Sequence, residues 1–188
     1  MNRSPLAFCT ISLWFLIASP IFSQDSRSAT QPVTLQVAGS ALLGIAGPPV
    51  TLQLAGAKEA GDAIMQAVEN DATRLRITSL VNDNETRAIS AKISDALIGT
   101  QLYVELQEPN NNFTYPENKG TLKGSRLLSN ESEITLVEGI GTCWSGKADG
   151  DGYVIKYTYK AIPKATVLKS ASITVTFTIS LVSSDENV

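Results

Sequence analysis

Strict alternation of apolar and polar residues is the strongest constraint on what this chain can fold into. In its last such stretch, Ile173, Val175, Phe177, Ile179 and Leu181 alternate with threonines and a serine. A period of two places the apolar side chains on one face of a β-strand, where they can pack on a core. The same period recurs in shorter stretches at residues 75–79, 89–93, 102–106 and 134–136. The pattern therefore predicts a β-rich domain.

The spacing of these stretches predicts the architecture. Turn-forming clusters separate them, among them Asn82 to Asn84 and Asp149-Gly150, and each is expected to join two strands as a hairpin. About eight short strands with such turns predict an all-β fold: a single immunoglobulin-like β-sandwich of about seven to nine antiparallel strands, preceded by a signal peptide. Residues 57–70 are the one stretch where a helix is an alternative to an irregular connection.

The first residues have the layout of an export signal. Arg3 supplies a positive charge, residues 6–22 carry no charged side chain, and Ser23 ends the stretch with a small residue. This order of charge, apolar run and small residue is typical of a cleaved signal peptide, and an uncleaved membrane anchor is the alternative. The expected organisation is a signal peptide at 1–23, a flexible leader at 24–31 and a β-sandwich domain at 32–188. We expect secretion to the periplasm or outer cell surface, with no membrane span after cleavage.

An internal repeat follows the leader. The octapeptide PVTLQVAG at residues 32–39 recurs as PVTLQLAG at residues 49–56. Two copies are too few for a solenoid, so we interpret them as two β-strands of similar pattern. In the first copy the alternation places Val33, Leu35 and Val37 on one face.

The residue types available exclude most catalytic sites. The chain contains no histidine, which removes the commonest general base and the commonest metal ligand. Cys143 is the one cysteine left once the signal is removed; it is interpreted as a buried small hydrophobe, with intermolecular pairing or nucleophilic reactivity as alternatives. Asp149 and Asp151 resemble part of a calcium loop, but turn chemistry also accounts for them. We expect no enzyme activity, no cofactor and no metal.

The charge pattern argues against nucleic acid as a partner. The formal net charge is -3, and neither sign is clustered along the chain. Proteins that bind nucleic acid concentrate lysine and arginine on one surface. The predicted partners are therefore the protein itself, other surface proteins, or a glycan.

Aromatic residues are the candidate contact sites. Tyr153 and Tyr157 share one strand face, which is either an aromatic platform for a ligand or part of the core. Phe113 and Tyr115 lie in the asparagine-rich loop that precedes residue 116, and binding residues concentrate on loops. These four residues are the predicted partner contacts.

The strand and turn sequences carry a resemblance to known proteins. The signal ending FSQ and the segments NDNETRAISAKIS, GTQLYVEL, LVEGIG and SITVTFTIS resemble small exported β-sandwich proteins of Bacteroidetes-type bacteria. More distantly, the layout is similar to spore-coat-U-like subunits of archaic chaperone–usher pili. That resemblance implies an N-terminal extension that completes a neighbour's sandwich by strand addition, with Val33, Leu35 and Val37 in the donor strand. Those subunits usually have an internal disulfide, which a single remaining cysteine cannot form.

Two functions follow as expectations. The first is a non-catalytic exported structural or adhesive protein that assembles by strand addition. The alternative is a secreted carbohydrate-binding module that uses exposed tyrosine and phenylalanine side chains.

Overall fold

The computed structural model describes residues 31–56, 59–61, 67–82, 85–109 and 113–183. The predicted signal peptide, and the leader up to residue 30, lie outside these residues. The chain divides into two units, Met1–Leu35 and Gln36–Val188. Of the first unit, residues 31–35 are described; they have no regular secondary structure, and their side chains are exposed.

The second unit is all-β. Its described residues form no α-helix and a single turn of 3-10 helix at Pro116–Asn118. Seven strands have seven or more residues, and three have two. The strands are β1 (Ser40–Ala46), β2 (Ala67–Leu80), β3 (Glu85–Ile93), β4 (Thr100–Gln107), β5 (Thr121–Leu122), β6 (Arg126–Leu127), β7 (Ile134–Ile140), β8 (Cys143–Trp144), β9 (Tyr153–Ala161) and β10 (Val175–Ser183).

The strands form two antiparallel sheets. The first has the order β1-β2-β9-β4-β6, with β8 also paired to β2. The second has the order β10-β3-β7-β5. This arrangement confirms the predicted all-β sandwich.

One core is shared by the two sheets. Burial alternates residue by residue along β4 and through most of β9, as expected where one face of each strand packs inward. Both sheets contribute side chains with almost no exposed surface, including Leu75, Leu106 and Ile155 from the first and Ile89 and Leu136 from the second. Fully burying one such side chain contributes about 1.5–3 kcal/mol to the stability of the fold. The sum over the core can stabilise the domain without a disulfide.

The predicted hairpin at Asn82 to Asn84 is wrong in its pairing. A turn is present, because the Glu85 amide donates to the Asn82 carbonyl at 3.2 Å. However, β2 belongs to the first sheet and β3 to the second. Both strands direct an apolar face to the shared core, so the turn carries the chain from one sheet to the other.

The predicted hairpin at Asp149-Gly150 is also wrong. Strands β8 and β9 do not pair with each other; both pair antiparallel with β2. Since β1 occupies the other edge of β2, β8 and β9 lie on the same edge and form one interrupted strand. Residues 145–152 leave this line and return to it.

Neither copy of the repeat is a strand, contrary to the interpretation from sequence. Strand β1 lies between the copies, and residues 31–39 and 47–56 have no regular secondary structure. The reason is that no neighbouring backbone pairs with either copy in the described part of the chain. Of the stretch considered for a helix, residues 67–70 belong to β2, and residues 57–58 and 62–66 lie outside the described residues.

Candidate functional site

The first copy of the repeat presents its apolar side chains to solvent. Val33, Leu35 and Val37 are 72%, 87% and 66% exposed. These are the residues predicted for a donor strand. The whole segment is exposed, and its apolar residues lie at every second position, which is the spacing that a strand needs to insert side chains into a single groove.

The second copy of the repeat packs on the core of the second unit. Val50, Leu52 and Leu54 are half-buried, and the residues between them, Thr51 and Gln53, are exposed. Val50 and Leu52 contact the core cluster. Residues 49–56 make no main-chain hydrogen bond to any described residue. Within the described part of the chain, the second copy is therefore held by its side chains and by no main-chain hydrogen bond.

A groove lies beside the second copy. This groove is a cavity of about 740 Å³, lined by residues 48–54, by residues 168–173 and by side chains of the sandwich. The sandwich residues include Leu102 of β4, Tyr157 and Tyr159 of β9, and Val175 of β10. Both irregular segments and both sheets thus meet at this groove.

Hydroxyl groups line the groove among the apolar side chains. Thr73 is 3% exposed, and its Oγ1 has no hydrogen-bond partner among the described residues. Tyr159 donates its hydroxyl hydrogen to Thr100 Oγ1 at 3.1 Å. Burial raises the pKa of Tyr157 to about 12, so its hydroxyl stays protonated at neutral pH. The groove thus combines apolar contact area with buried hydroxyl groups.

Strands β1 and β10 each lie at one edge of a sheet, and the two strands contact each other across the sandwich. Leu42 and Ile45 of β1 and Leu181 and Val182 of β10 are exposed. Neither strand contains a charged residue or a proline. Natural edge strands commonly use charge, proline or bulges to prevent pairing with another chain. By this criterion, β1 and β10 are open to strand addition.

The four predicted aromatic contacts divide into two groups. Phe113, Tyr153 and Tyr157 are buried, so their side chains belong to the core and do not offer a face to a partner. The rings of Phe113 and Tyr153 meet edge to face at 5.2 Å, and the Tyr153 hydroxyl donates to the Lys119 carbonyl. This burial agrees with the core alternative for the tyrosine face and argues against these three as contact residues.

Tyr115 is the exposed member of the four. It is 50% exposed, and its ring meets that of Trp144, 41% exposed, edge to face at 5.5 Å. A backbone bridge joins Thr114 to Trp144, with the Thr114 amide donating to the Trp144 carbonyl at 3.0 Å. Reasoning from sequence missed Trp144, because nothing in the pattern near it shows that β8 turns its side chain outward.

The remaining candidates have structural roles. Cys143 is buried, and loss of solvent raises the pKa of its thiol to about 11, which suppresses the reactive thiolate. Asp149 is exposed and pairs with Arg76. Asp151 is buried and accepts a hydrogen bond from the Ala148 amide at 2.6 Å, as in a turn. The described part of the chain holds no group of three or more cysteine or acidic residues arranged to bind a metal.

Comparisons with known proteins give no relative. No protein-family model, no curated protein and no solved structure matches the chain. Within the residues that the structure describes, there is no helix of the length and apolar character needed to cross a bilayer.

Proposed function

We propose that this chain is an exported, non-catalytic structural or adhesive protein of the periplasm or cell surface, and that it assembles by strand addition. The observation that carries the proposal is the exposure of Val33, Leu35 and Val37, which lie at every second position N-terminal to a sandwich whose edge strands β1 and β10 carry no charged residue. Strand addition gives such a segment main-chain hydrogen bonds and a place for alternate side chains at once.

The energetics favour association over solvent exposure for this segment. Fully burying a valine or leucine side chain contributes about 1.5–3 kcal/mol, and the three donor side chains are largely exposed. Each main-chain hydrogen bond formed with a neighbour adds roughly 0.5–1.5 kcal/mol. These gains oppose the entropy lost when two molecules associate, so assembly is expected to depend on concentration.

Sedimentation of the exported protein tests assembly. The weight-average mass is expected to rise with concentration, and Leu35→Asp is expected to hold the protein at the monomer mass because a charge cannot enter an apolar site. Ile98→Asp is the matched control, since Ile98 is an exposed apolar residue outside every strand. A wild-type protein that stays monomeric at millimolar concentration would contradict strand addition.

Export rests on the sequence of residues 1–23 and has its own test. Mass spectrometry of the secreted material is expected to give a chain that begins at Gln24. A product retained in the membrane with Met1 intact would support the uncleaved anchor instead.

A second candidate function is carbohydrate binding. The exposed rings of Tyr115 and Trp144 favour it, because exposed aromatic faces at a protein surface commonly contact ligands through their apolar area. Titration with oligosaccharides is expected to change Trp144 fluorescence, and Trp144→Ala is expected to abolish binding while Phe177→Leu, on the opposite sheet, retains it. Equal binding by both variants, or none by the wild type, would exclude this function for the pair.

A further inference from the structure

The two copies of the repeat have almost the same sequence and opposite environments. Residues 32–39 and 49–56 differ only at Val37, which corresponds to Leu54. The first copy is exposed throughout, whereas the second places its apolar side chains against the core beside the groove. Because seven of the eight residues are the same and have the same spacing, the first copy has nearly the same capacity to pack at this site, so the difference in environment comes from how each copy is connected to the fold.

The second copy has little besides its side chains to hold it. Its backbone makes no hydrogen bond to a described residue, and residues 47–66 connect the end of β1 to the start of β2. Removing it from the wall of the groove would therefore break the core contacts of Val50 and Leu52 without breaking a sheet ladder among the described residues. An incoming segment with the same side chains would restore those contacts.

The groove is suited to a peptide strand. Residues 168–173 also line it, and within residues 170–173 the described backbone makes no main-chain hydrogen bond. The Thr73 hydroxyl is buried in the lining and has no hydrogen-bond partner among the residues that the structure describes. An occupant that carries alternating apolar side chains and backbone amides supplies both the contacts and the hydrogen-bond partners that the lining offers.

We propose that the second copy of the repeat is an internal substitute that covers the core along one wall of the groove in the isolated chain, and that the first copy from a second molecule of this protein displaces it from that position. The inference rests on the proposed function and names its acceptor: the groove beside residues 49–56, in place of the free edges β1 and β10. This arrangement also limits assembly, because the second copy of each molecule competes with incoming first copies for the same site.

The competition sets the concentration at which exchange begins. The two copies present nearly the same side chains. The second copy of the same molecule therefore stays at the site until the concentration of first copies from other molecules approaches the effective concentration of the tethered second copy. For a segment tethered by a short linker that value is in the millimolar range. Weakening the internal copy is therefore expected to move exchange to concentrations at least about tenfold lower.

A peptide that spans residues 31–39, labelled with fluorescein, tests the displacement by anisotropy. Leu35 and Leu52 occupy equivalent positions in the two copies, so Leu52→Asp and Leu35→Asp are matched variants of the full chain. We expect the peptide to bind Leu52→Asp at least about tenfold more tightly than wild type, and to bind Leu35→Asp as wild type. A peptide carrying Leu35→Asp is expected not to bind. If circular dichroism shows that Leu52→Asp fails to fold, Leu52→Thr replaces it.

Hydrogen exchange locates the bound peptide. We expect saturating peptide to slow exchange in residues 170–173, whose amides make no main-chain hydrogen bond in the described part of the chain, and to leave exchange in β1 and β10 unchanged. Equal peptide affinity for wild type and the Leu52 variant, or protection of β1 or β10 instead, would overturn the inference while leaving strand addition at an edge intact. No binding by any variant would also overturn it. A wild-type chain that stays monomeric at all concentrations, but whose Leu52 variant binds the peptide beside the groove, would support this site as the acceptor of the first copy and overturn its displacement by a second wild-type molecule, and with it the proposed assembly.

Discussion

Replacing Gly152 with alanine should destabilise the sandwich through two separate costs. Gly152 has φ +101°, in a region that residues with a side chain rarely adopt. A Cβ atom at this position would lie 2.4 Å from the Leu75 carbonyl oxygen and 3.1 Å from the Arg76 Cα, both in the backbone of β2. Gly152 ends the excursion that returns the chain to β2 as β9. The alanine would therefore strain the junction between β2 and β9.

The two costs can be estimated separately. A residue held in a sparsely populated backbone conformation costs about 1–3 kcal/mol. Overpacking an interior site costs typically another 1–3 kcal/mol. We therefore expect Gly152→Ala to lower the free energy of unfolding by about 3 kcal/mol, which lies within the combined range of the two costs. For a domain of this size, it corresponds to a fall in Tm of roughly 6–12 °C, at 2–4 °C for each kcal/mol.

Two other glycines provide matched controls. Gly124 has φ +68° with nothing within 4 Å of a built Cβ, so Gly124→Ala carries a conformational cost alone, of about 1–2 kcal/mol. Gly44 of β1 has neither a positive φ nor a close neighbour, and Gly44→Ala is expected to stabilise by about 0.5–1 kcal/mol. Urea denaturation followed by circular dichroism measures all three. If Gly152→Ala loses no more stability than Gly124→Ala, the close approach of the 145–152 excursion to β2 is refuted.

Three further predictions concern single side chains. Ile155→Ala should cost about 2–5 kcal/mol in urea denaturation, because the side chain is fully buried between the sheets; a loss under about 1 kcal/mol would contradict the core. The Cys143 thiol, with a pKa raised to about 11 by burial, should remain unmodified by iodoacetamide at neutral pH until the protein unfolds; rapid labelling of the native protein would place it at the surface. Hydrogen bonds from Ser90 and Thr178 lower the pKa of Glu133, so its contribution to stability is present at neutral pH and lost as the pH falls through the lowered pKa. Glu133→Gln should therefore reduce the acid dependence of stability, and an unchanged pH profile would argue against those contacts.

The alternation of side chains predicted the strands well and their partners poorly. The alternating stretches at residues 75–79, 89–93 and 102–106 lie in β2, β3 and β4, because an apolar face with a period of two requires a core on one side. The same period does not say which strand lies alongside. Turn residues at Asn82 to Asn84 therefore predict a hairpin, whereas the core is completed by placing β2 and β3 in opposite sheets.

At the candidate site, the sequence pattern likewise does not determine the environment of the aromatic residues or of the two copies of the repeat. Tyr153 and Tyr115 belong to the same residue type, yet the first is buried in the core and the second is exposed beside Trp144. The two copies of the repeat are nearly identical, so no local pattern distinguishes the exposed copy from the packed one. In both cases the environment is decided by contacts between residues distant in sequence. The groove is such a feature, since residues 48–54 and 168–173 line it together with side chains of β1, β2, β4, β9 and β10.

Concentration-dependent hydrogen exchange at Val33 to Val37 tests the central claim most directly, because it asks whether this segment acquires a hydrogen-bonded partner from another molecule. At micromolar concentration these amides should exchange at the rate of an unprotected chain, in keeping with their exposed side chains. At millimolar concentration we predict that they become protected, and that Leu35→Asp removes the protection. Exchange rates that are the same at both concentrations would contradict assembly through this segment.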